Sequence, residues 1–219
     1  MRRAPRPRPI VLLGEFTGRR VQRLEALRWG RMWISRQPTP YDGEPWGVDN
    51  GAFRDYLRGV PFDAVRFLAQ IERATRVGIP FLAVAPDIVA GGAASLAFSV
   101  EWLPRLPADW PWYLAVQDGV TPADVAPVLG RFSGLFLGGT REFKTATART
   151  WCDMAHAAGR RFHYARVGTL DRLLHACGVG ADSLDSAFPM WTDARWRTFE
   201  RWWRDGDPRL ALALEEPSG

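Results

Sequence analysis

Asp49-Asn50, Asp87, Gln117-Asp118-Gly119, Gly138-Gly139-Thr140, Arg166 and Asp185 are the residues of this chain best equipped to bind or cleave a polar ring. Carboxylates and amides meet ring nitrogens and oxygens as acceptors and donors, and glycine lets main-chain N–H groups approach a flat ligand closely. Taken singly each has an ordinary explanation, because an Asp or Gly after a strand is usually a turn residue or a helix cap. What they share is position. Each lies at or just after a short apolar run, so consecutive runs present such a residue at their ends.

Those runs are the elements that must position the residues. Short apolar segments alternate with longer ones of helical period, the pattern of strand–helix units around a parallel sheet. Strands are predicted at 10–14, 32–35, 46–48, 81–85, 112–116, 135–138, 162–167 and 183–184, and helices at 18–28, 63–77, 93–106, 122–132, 145–158, 170–177 and 192–204. Thr121-Pro122 and Thr192 read as helix starts, and Gly78, Gly159 and Gly178 as helix ends. The stretch 37–45, rich in Pro, Gly and Asp, reads as a loop. Eight strands in about 200 residues predict a compact α/β fold, a single-domain (β/α)8 TIM-type barrel over 10–214. It would be flanked by a basic arm at 1–9 and a short tail at 215–219. In such barrels the catalytic side chains come from the C-terminal ends of strands, where the polar residues fall.

Read in order, Val48-Asp49-Asn50-Gly51-Ala52-Phe53 resembles the Asp-Ser-Gly-Gly-Phe motif of tRNA-guanine transglycosylases. Ala115-Val116-Gln117-Asp118-Gly119 is similar to their Val-Gln-Gly-Gly, and Leu137-Gly138-Gly139 to their Ile-Gly-Gly. The most specific match is His163-Tyr164-Ala165-Arg166-Val167-Gly168-Thr169 with Gly180-Ala181-Asp182-Ser183-Leu184-Asp185. It follows the family's His-Tyr-Leu-Met-Gly-Val-Gly-Thr and its later Gly-x-Asp-x-x-Asp. The matches run from about Trp46 to Ser186 in family order.

The resemblance implies base exchange through an oxocarbenium-like state, with Asp185 as nucleophile and Asp49 as general acid/base. It also implies a guanine site in which Asp87 takes the N1–H and 2-amino donors, while Gln117 and a main-chain N–H at Gly138-Gly139 meet O6. Asn50, Phe53 and Arg166 would complete the substrate site; Phe53 and Trp46 are candidates for stacking on the base, with core filling the alternative for Trp46. Asp182 reads as a strand-end cap. Arg166 stands where the family has an apolar residue, and Ser186-Ala187-Phe188-Pro189 replaces a Pro-Thr-Arg segment. The family's zinc-binding Cys-x-Cys-x-x-Cys insertion is missing, so no metal and no cofactor are expected. The chain is then most similar to the short, zinc-less deazapurine DNA-modification transglycosylases. DNA is the preferred polymer, tRNA the alternative, a 7-deazaguanine of preQ0 type the incoming base, and proteins of a DNA-modification system are candidate partners. The same carboxylates also suit a small N-glycosidase, and the same surface an idle nucleic-acid-binding barrel.

Composition bears on the partner. The formal charge is +5 and the pI about 9.8, and Lys144 is the only lysine among 29 basic residues. Arginine in place of lysine follows from a coding bias, but that bias does not explain the sign of the charge, which favours a polyanion. The 12% aromatic content includes a Trp-rich end, Trp191, Trp196, Trp202 and Trp203, that reads as an amphipathic helix packed on the barrel. Cys152 and Cys177 lack zinc-site spacing, His156, His163 and His175 lack metal spacing, and no apolar run has the length of a signal-peptide core or a membrane span. A cytoplasmic setting without membrane contact is expected.

Overall fold

A computed structural model of the chain describes residues 7–16 and 21–204. Eight parallel strands close into a barrel in sequence order, each hydrogen-bonded to the next and β8 returning to β1. The strands are β1 (Ile10–Gly14), β2 (Gly30–Trp33), β3 (Gly47–Val48), β4 (Leu82–Val84), β5 (Trp112–Val116), β6 (Gly134–Leu137), β7 (Arg161–Tyr164) and β8 (Ser183–Ser186). The helices are α1 (Val21–Leu27), α2 (Ala52–Leu57), α3 (Ala64–Thr75), α4 (Ala93–Trp102), α5 (Pro122–Val125), α6 (Arg141–Ala157), α7 (Leu170–Val179) and α8 (Asp193–Arg204). The expected (β/α)8 architecture is the one observed.

The two faces of the strands separate two apolar layers. Leu12, Met32, Leu82, Val84, Tyr113 and Ala115 pack together inside the barrel, while Val11, Leu13, Val48, Leu114, Val116 and Leu184 pack outward against the helices. This is the period-two alternation of a strand applied around a closed sheet. Small residues let the barrel close: a Cβ on Gly134 would lie 2.4 Å from the Tyr113 ring and 2.6 Å from the Arg161 carbonyl.

The segment 37–45 is a loop, anchored by the buried Glu44, whose carboxylate takes the Arg31 guanidinium at 2.7 and 2.8 Å. Thr121 caps α5 in a reciprocal capping box with Asp124, and the Thr192 hydroxyl accepts the Arg195 N–H ahead of α8. The predicted helix at 122–132 is cut to one α-turn and a 3-10 turn, because Pro127 offers no N–H and disfavours helix before it. Helix α7 runs through Gly178 and ends at Gly180, whose φ of 87° is the left-handed C-cap. Helix α2 was not expected from the sequence. Within the predicted arm, Arg8 is docked on α8: it donates to the Trp203 carbonyl and lies 5.6 Å from that ring. Residues 1–6 of the arm, Thr17 with 18–20 of the first predicted helix, and 205–219 with the predicted tail lie outside the described residues. No helix among the described residues is long and apolar enough to cross a membrane.

Candidate active site

The strand ends converge on a cavity of about 100 Å³ at the C-terminal mouth, lined by Asp49, Asn50, Phe53, Asp87, Gln117, Gly138, Gly139, Arg166 and Asp185, with Val84, Val89, Ala115 and Phe136 between them. Both aspartates expected to be catalytic, and Asn50, Phe53, Asp87, Gln117, Gly138, Gly139 and Arg166 expected to bind substrate, are among them, whereas Trp46, Asp118, Gly119 and Thr140 are not. A wider groove of about 340 Å³ opens near the starts of β5 and β6, but its lining of Leu103, Pro104, Pro107, Ala108, Trp110, Trp112, Arg131 and Ser133 contains no carboxylate or imidazole. The mouth cavity is therefore the candidate site.

Asp49 follows β3 and is held by its own turn. Its Oδ1 accepts the Gly51 N–H at 2.6 Å, and Gly51 has a φ of 75° that favours glycine. A side chain at Gly51 would also strike the Arg66 guanidinium, 2.4 Å from an added Cβ. That guanidinium braces the turn, donating to the Asn50 carbonyl at 3.0 Å and to the buried Asp55 at 2.7 Å. The Asp49 pKa is raised, first by loss of solvent and further by the charge of Asp185, against the opposing Gly51 N–H, Arg66 and Arg166. A carboxyl so placed retains a proton more readily than a free aspartate, as a group that handles protons requires.

Asp185 is held differently. Its Oδ1 meets His163 Nε2 at 3.0 Å and the Arg166 N–H at 3.1 Å. The His163 ring is fully buried, lies flat on Phe136 with centroids 4.7 Å apart, and joins Ser183 Oγ through Nδ1 at 2.8 Å. Sequence reasoning placed His163 inside β7 but gave it no function. The available signal was parity, since His163 pairs with Ser183 and both Ser183 and Asp185 alternate towards the inside of the barrel.

Asp87 sits between two amides. Asn50 Nδ2 donates to its Oδ1 at 2.7 Å, and Gln117 Nε2 approaches its Oδ2 at 3.3 Å. Asn50 also bonds the Ala85 carbonyl and the Ala52 N–H, so its amide positions Asp87. Gln117 is similarly engaged by Ile88, Ser95 and Ala90. Burial pushes the Asp87 carboxyl up to about 6, Asp49 adding to this while Asn50, Arg166 and Gln117 oppose it.

The far wall is glycine and arginine. At Gly139 (φ 81°) an added Cβ would lie 2.5 Å from Asp118, whereas at Gly138 it would meet only the Val116 carbonyl at 3.6 Å. Glycine at 138 thus leaves space in the cavity that the protein itself does not need. The Gly138 N–H is bonded to Val116, so the main-chain donor on this wall belongs to Gly139. Arg166 crosses the mouth: its guanidinium lies 4.1 Å from the centroid of Phe53 and donates to the Gly139 carbonyl at 3.0 Å. Its φ of 57° is uncommon for a side-chain-bearing residue, and such strain gathers at functional sites.

The remaining residues named from sequence have structural places. Asp118 binds the Thr140 N–H and hydroxyl, fixing the loop before α6. Asp182 takes the Phe162 N–H and His156 at the opposite end of the barrel, as a strand-end cap should. Trp46 is 6% exposed within the core, whereas Phe53 is 40% exposed, with Tyr56 stacked on it and Arg166 over its ring, so of the two only Phe53 reaches the mouth. Trp196 and Trp203 are buried against Trp29, as the packed-helix reading requires, but Trp191 is exposed.

Fold and site together define a (β/α)8 barrel with a carboxylate-lined pocket at the C-terminal mouth. Neither a scan of protein-family models nor a search of curated proteins finds a match to this chain.

Proposed function

We propose that this chain is a guanine transglycosylase that exchanges guanine in DNA for a 7-deazaguanine of preQ0 type through a covalent aspartyl–sugar intermediate. The observation that carries the reading is convergence. Residues 49, 50, 53, 87, 117, 138, 139, 166 and 185, singled out from strand ends and from a resemblance to the tRNA-guanine transglycosylase superfamily, all line one cavity at the end of the barrel where such enzymes work.

In this reading Asp185, oriented by His163 and the Arg166 N–H, attacks the anomeric carbon as its bond to N9 breaks. Asp49 gives its proton to the departing guanine and is left as a carboxylate. Guanine leaves and the deazaguanine takes its place. Asp49 then removes the proton from the incoming ring nitrogen, which attacks the sugar carbon and releases Asp185, so configuration is retained. Asp87 accepts from N1–H and the 2-amino group, Gly139 donates to O6, and Phe53 stacks on the ring. Gln117 and Asn50 serve chiefly by holding Asp87. A base inside a duplex is out of reach, so the target is flipped or single-stranded.

The test incubates purified protein with guanine-containing DNA or tRNA and a 7-deazaguanine, then analyses digested nucleosides by mass spectrometry. Deazaguanine in DNA is expected; its appearance only in tRNA would move the substrate, and its absence from both would reject base exchange. Intact-mass analysis of protein trapped on an oligonucleotide assigns the nucleophile. Asp185→Asn should lose the adduct, and Asp49→Asn should form it slowly and resolve it poorly. An adduct of normal yield in Asp185→Asn would overturn the assignment.

A further inference from the structure

The only lysine of the chain is buried beside this site. Lys144, in the first turn of α6, is 3% exposed, and its Nζ donates to the Ala165 carbonyl at 2.7 Å while lying 5.4 Å from the centroid of Tyr164. With arginine at every other basic position, the exception falls where a compact point charge must fit within the core. Ala165 immediately precedes Arg166, the left-handed residue whose N–H donates to Asp185 and whose guanidinium covers Phe53 and bonds Gly139. A continuous chain of contacts thus joins Lys144 to the nucleophile on one side and to the mouth of the pocket on the other.

We propose that Lys144 is a positioning residue: its ammonium, acting through the Ala165 carbonyl, holds the strained turn at Arg166 that orients Asp185 and places the guanidinium over Phe53. An arginine in the left-handed region is strained and relaxes unless its surroundings hold it. A buried ammonium on the preceding carbonyl supplies that hold through a charge-assisted hydrogen bond, stronger than a neutral one. The catalytic role assumed for Asp185 rests on the function proposed above; the control of the Arg166 turn does not.

The groups facing Lys144 are Arg166 and Tyr164 from the β7 end, Arg172 from α7 and Asp185 from β8, with His175 behind the Tyr164 hydroxyl. Loss of solvent lowers the Lys144 pKa to about 8; the charges of Arg166 and Arg172 act in the same direction and Asp185 opposes them. The ammonium is therefore present at pH 7 and lost as the pH rises through 8.

A single lysine makes the test direct. Protein labelled with carbon-13 at lysine gives one set of lysine side-chain NMR signals, whose midpoint is expected near pH 8. The Arg166 amide shift and its HN–Hα coupling, which reports φ, should change over the same range in the wild-type protein, a measurement that needs no variant. Lys144→Met should remain folded, displace the Arg166 coupling from its left-handed value, and lose this pH dependence. In base exchange it should lower kcat by about tenfold to a hundredfold with little change in KM. Arg166 signals that stay constant in the wild-type protein while the lysine titrates, or Arg166 signals in Lys144→Met that superimpose on wild type at pH 7, would overturn the proposal. Absence of base exchange with the Arg166 signals still following Lys144 would reject the transglycosylase reading and leave the positioning role supported.

Discussion

Asp87→Asn is expected to make the protein more stable at neutral pH. Asp87 is 8% exposed, and loss of solvent pushes its carboxyl up to about 6 from an ordinary 3.8. A raised carboxyl pKa means that the folded chain binds this proton more tightly than the unfolded chain. The stability so gained is complete below pH 3.8 and is lost as the pH rises through 6. At pH 7 the fold therefore holds an anion where it favours the acid, at a cost of about 3 kcal/mol. Asparagine avoids that cost and can still accept from Asn50, but it turns an amide donor towards Gln117 Nε2, now 3.3 Å from Asp87 Oδ2, which returns about 1 kcal/mol. The net gain is about 2 kcal/mol, or about 4 to 8 °C in Tm for a chain of this size. Thermal unfolding of both proteins at pH 7 and pH 4 measures it. The reasoning would be refuted by a variant no more stable at pH 7, or by a gain of the same size at both pH values.

Three further outcomes are expected. Arg66→Leu should destabilise the fold by about 3 kcal/mol in urea unfolding, because it strands the buried carboxylate of Asp55, and Arg66→Lys should recover part of the loss. Gly138→Ala should change stability by no more than about 0.5 kcal/mol, since nothing but the Val116 carbonyl comes within 4 Å of the new methyl. Its guanine affinity by calorimetry should nevertheless fall, because the methyl enters the cavity. DNA binding followed by fluorescence anisotropy should weaken by about tenfold or more between 50 and 200 mM salt, as contacts to several phosphates would require; a flat dependence would argue against backbone contacts.

The order of strands and the mouth residues were legible because short apolar runs ending in Asp, Gln or Gly are what a parallel barrel places at its working end. Asp49, Asp87, Gln117 and Asp185 could be read as members of one site. Their internal connections could not. Asn50 and Gln117 look in sequence like ligand-facing amides, yet both are bound into the loops that fix Asp87, a consequence of barrel neighbours that are 27 to 37 residues apart in the chain. His163 was passed over because one histidine in a strand resembles any core histidine until the register with Ser183 sets it beside Asp185. The six-residue helix α2 left no periodic signal, being shorter than two turns and starting from a left-handed glycine.

The two proposed catalytic aspartates stand on unequal mounts. Asp185 belongs to β8, which shares four register pairs with β1 and is tied to β7 by His163 as well as by the ladder. Asp49 follows β3, a strand of two residues with two register pairs on either side, and depends for its place on a glycine turn and the reach of Arg66. Local opening needs least free energy where the ladder is shortest, so hydrogen exchange at this end of the barrel should begin at β3 and reach β8 later. The gap between the carboxylates then widens or narrows by movement on one side only. The sugar ester would form against a fixed post, while the proton carrier travels with whatever enters or leaves the mouth.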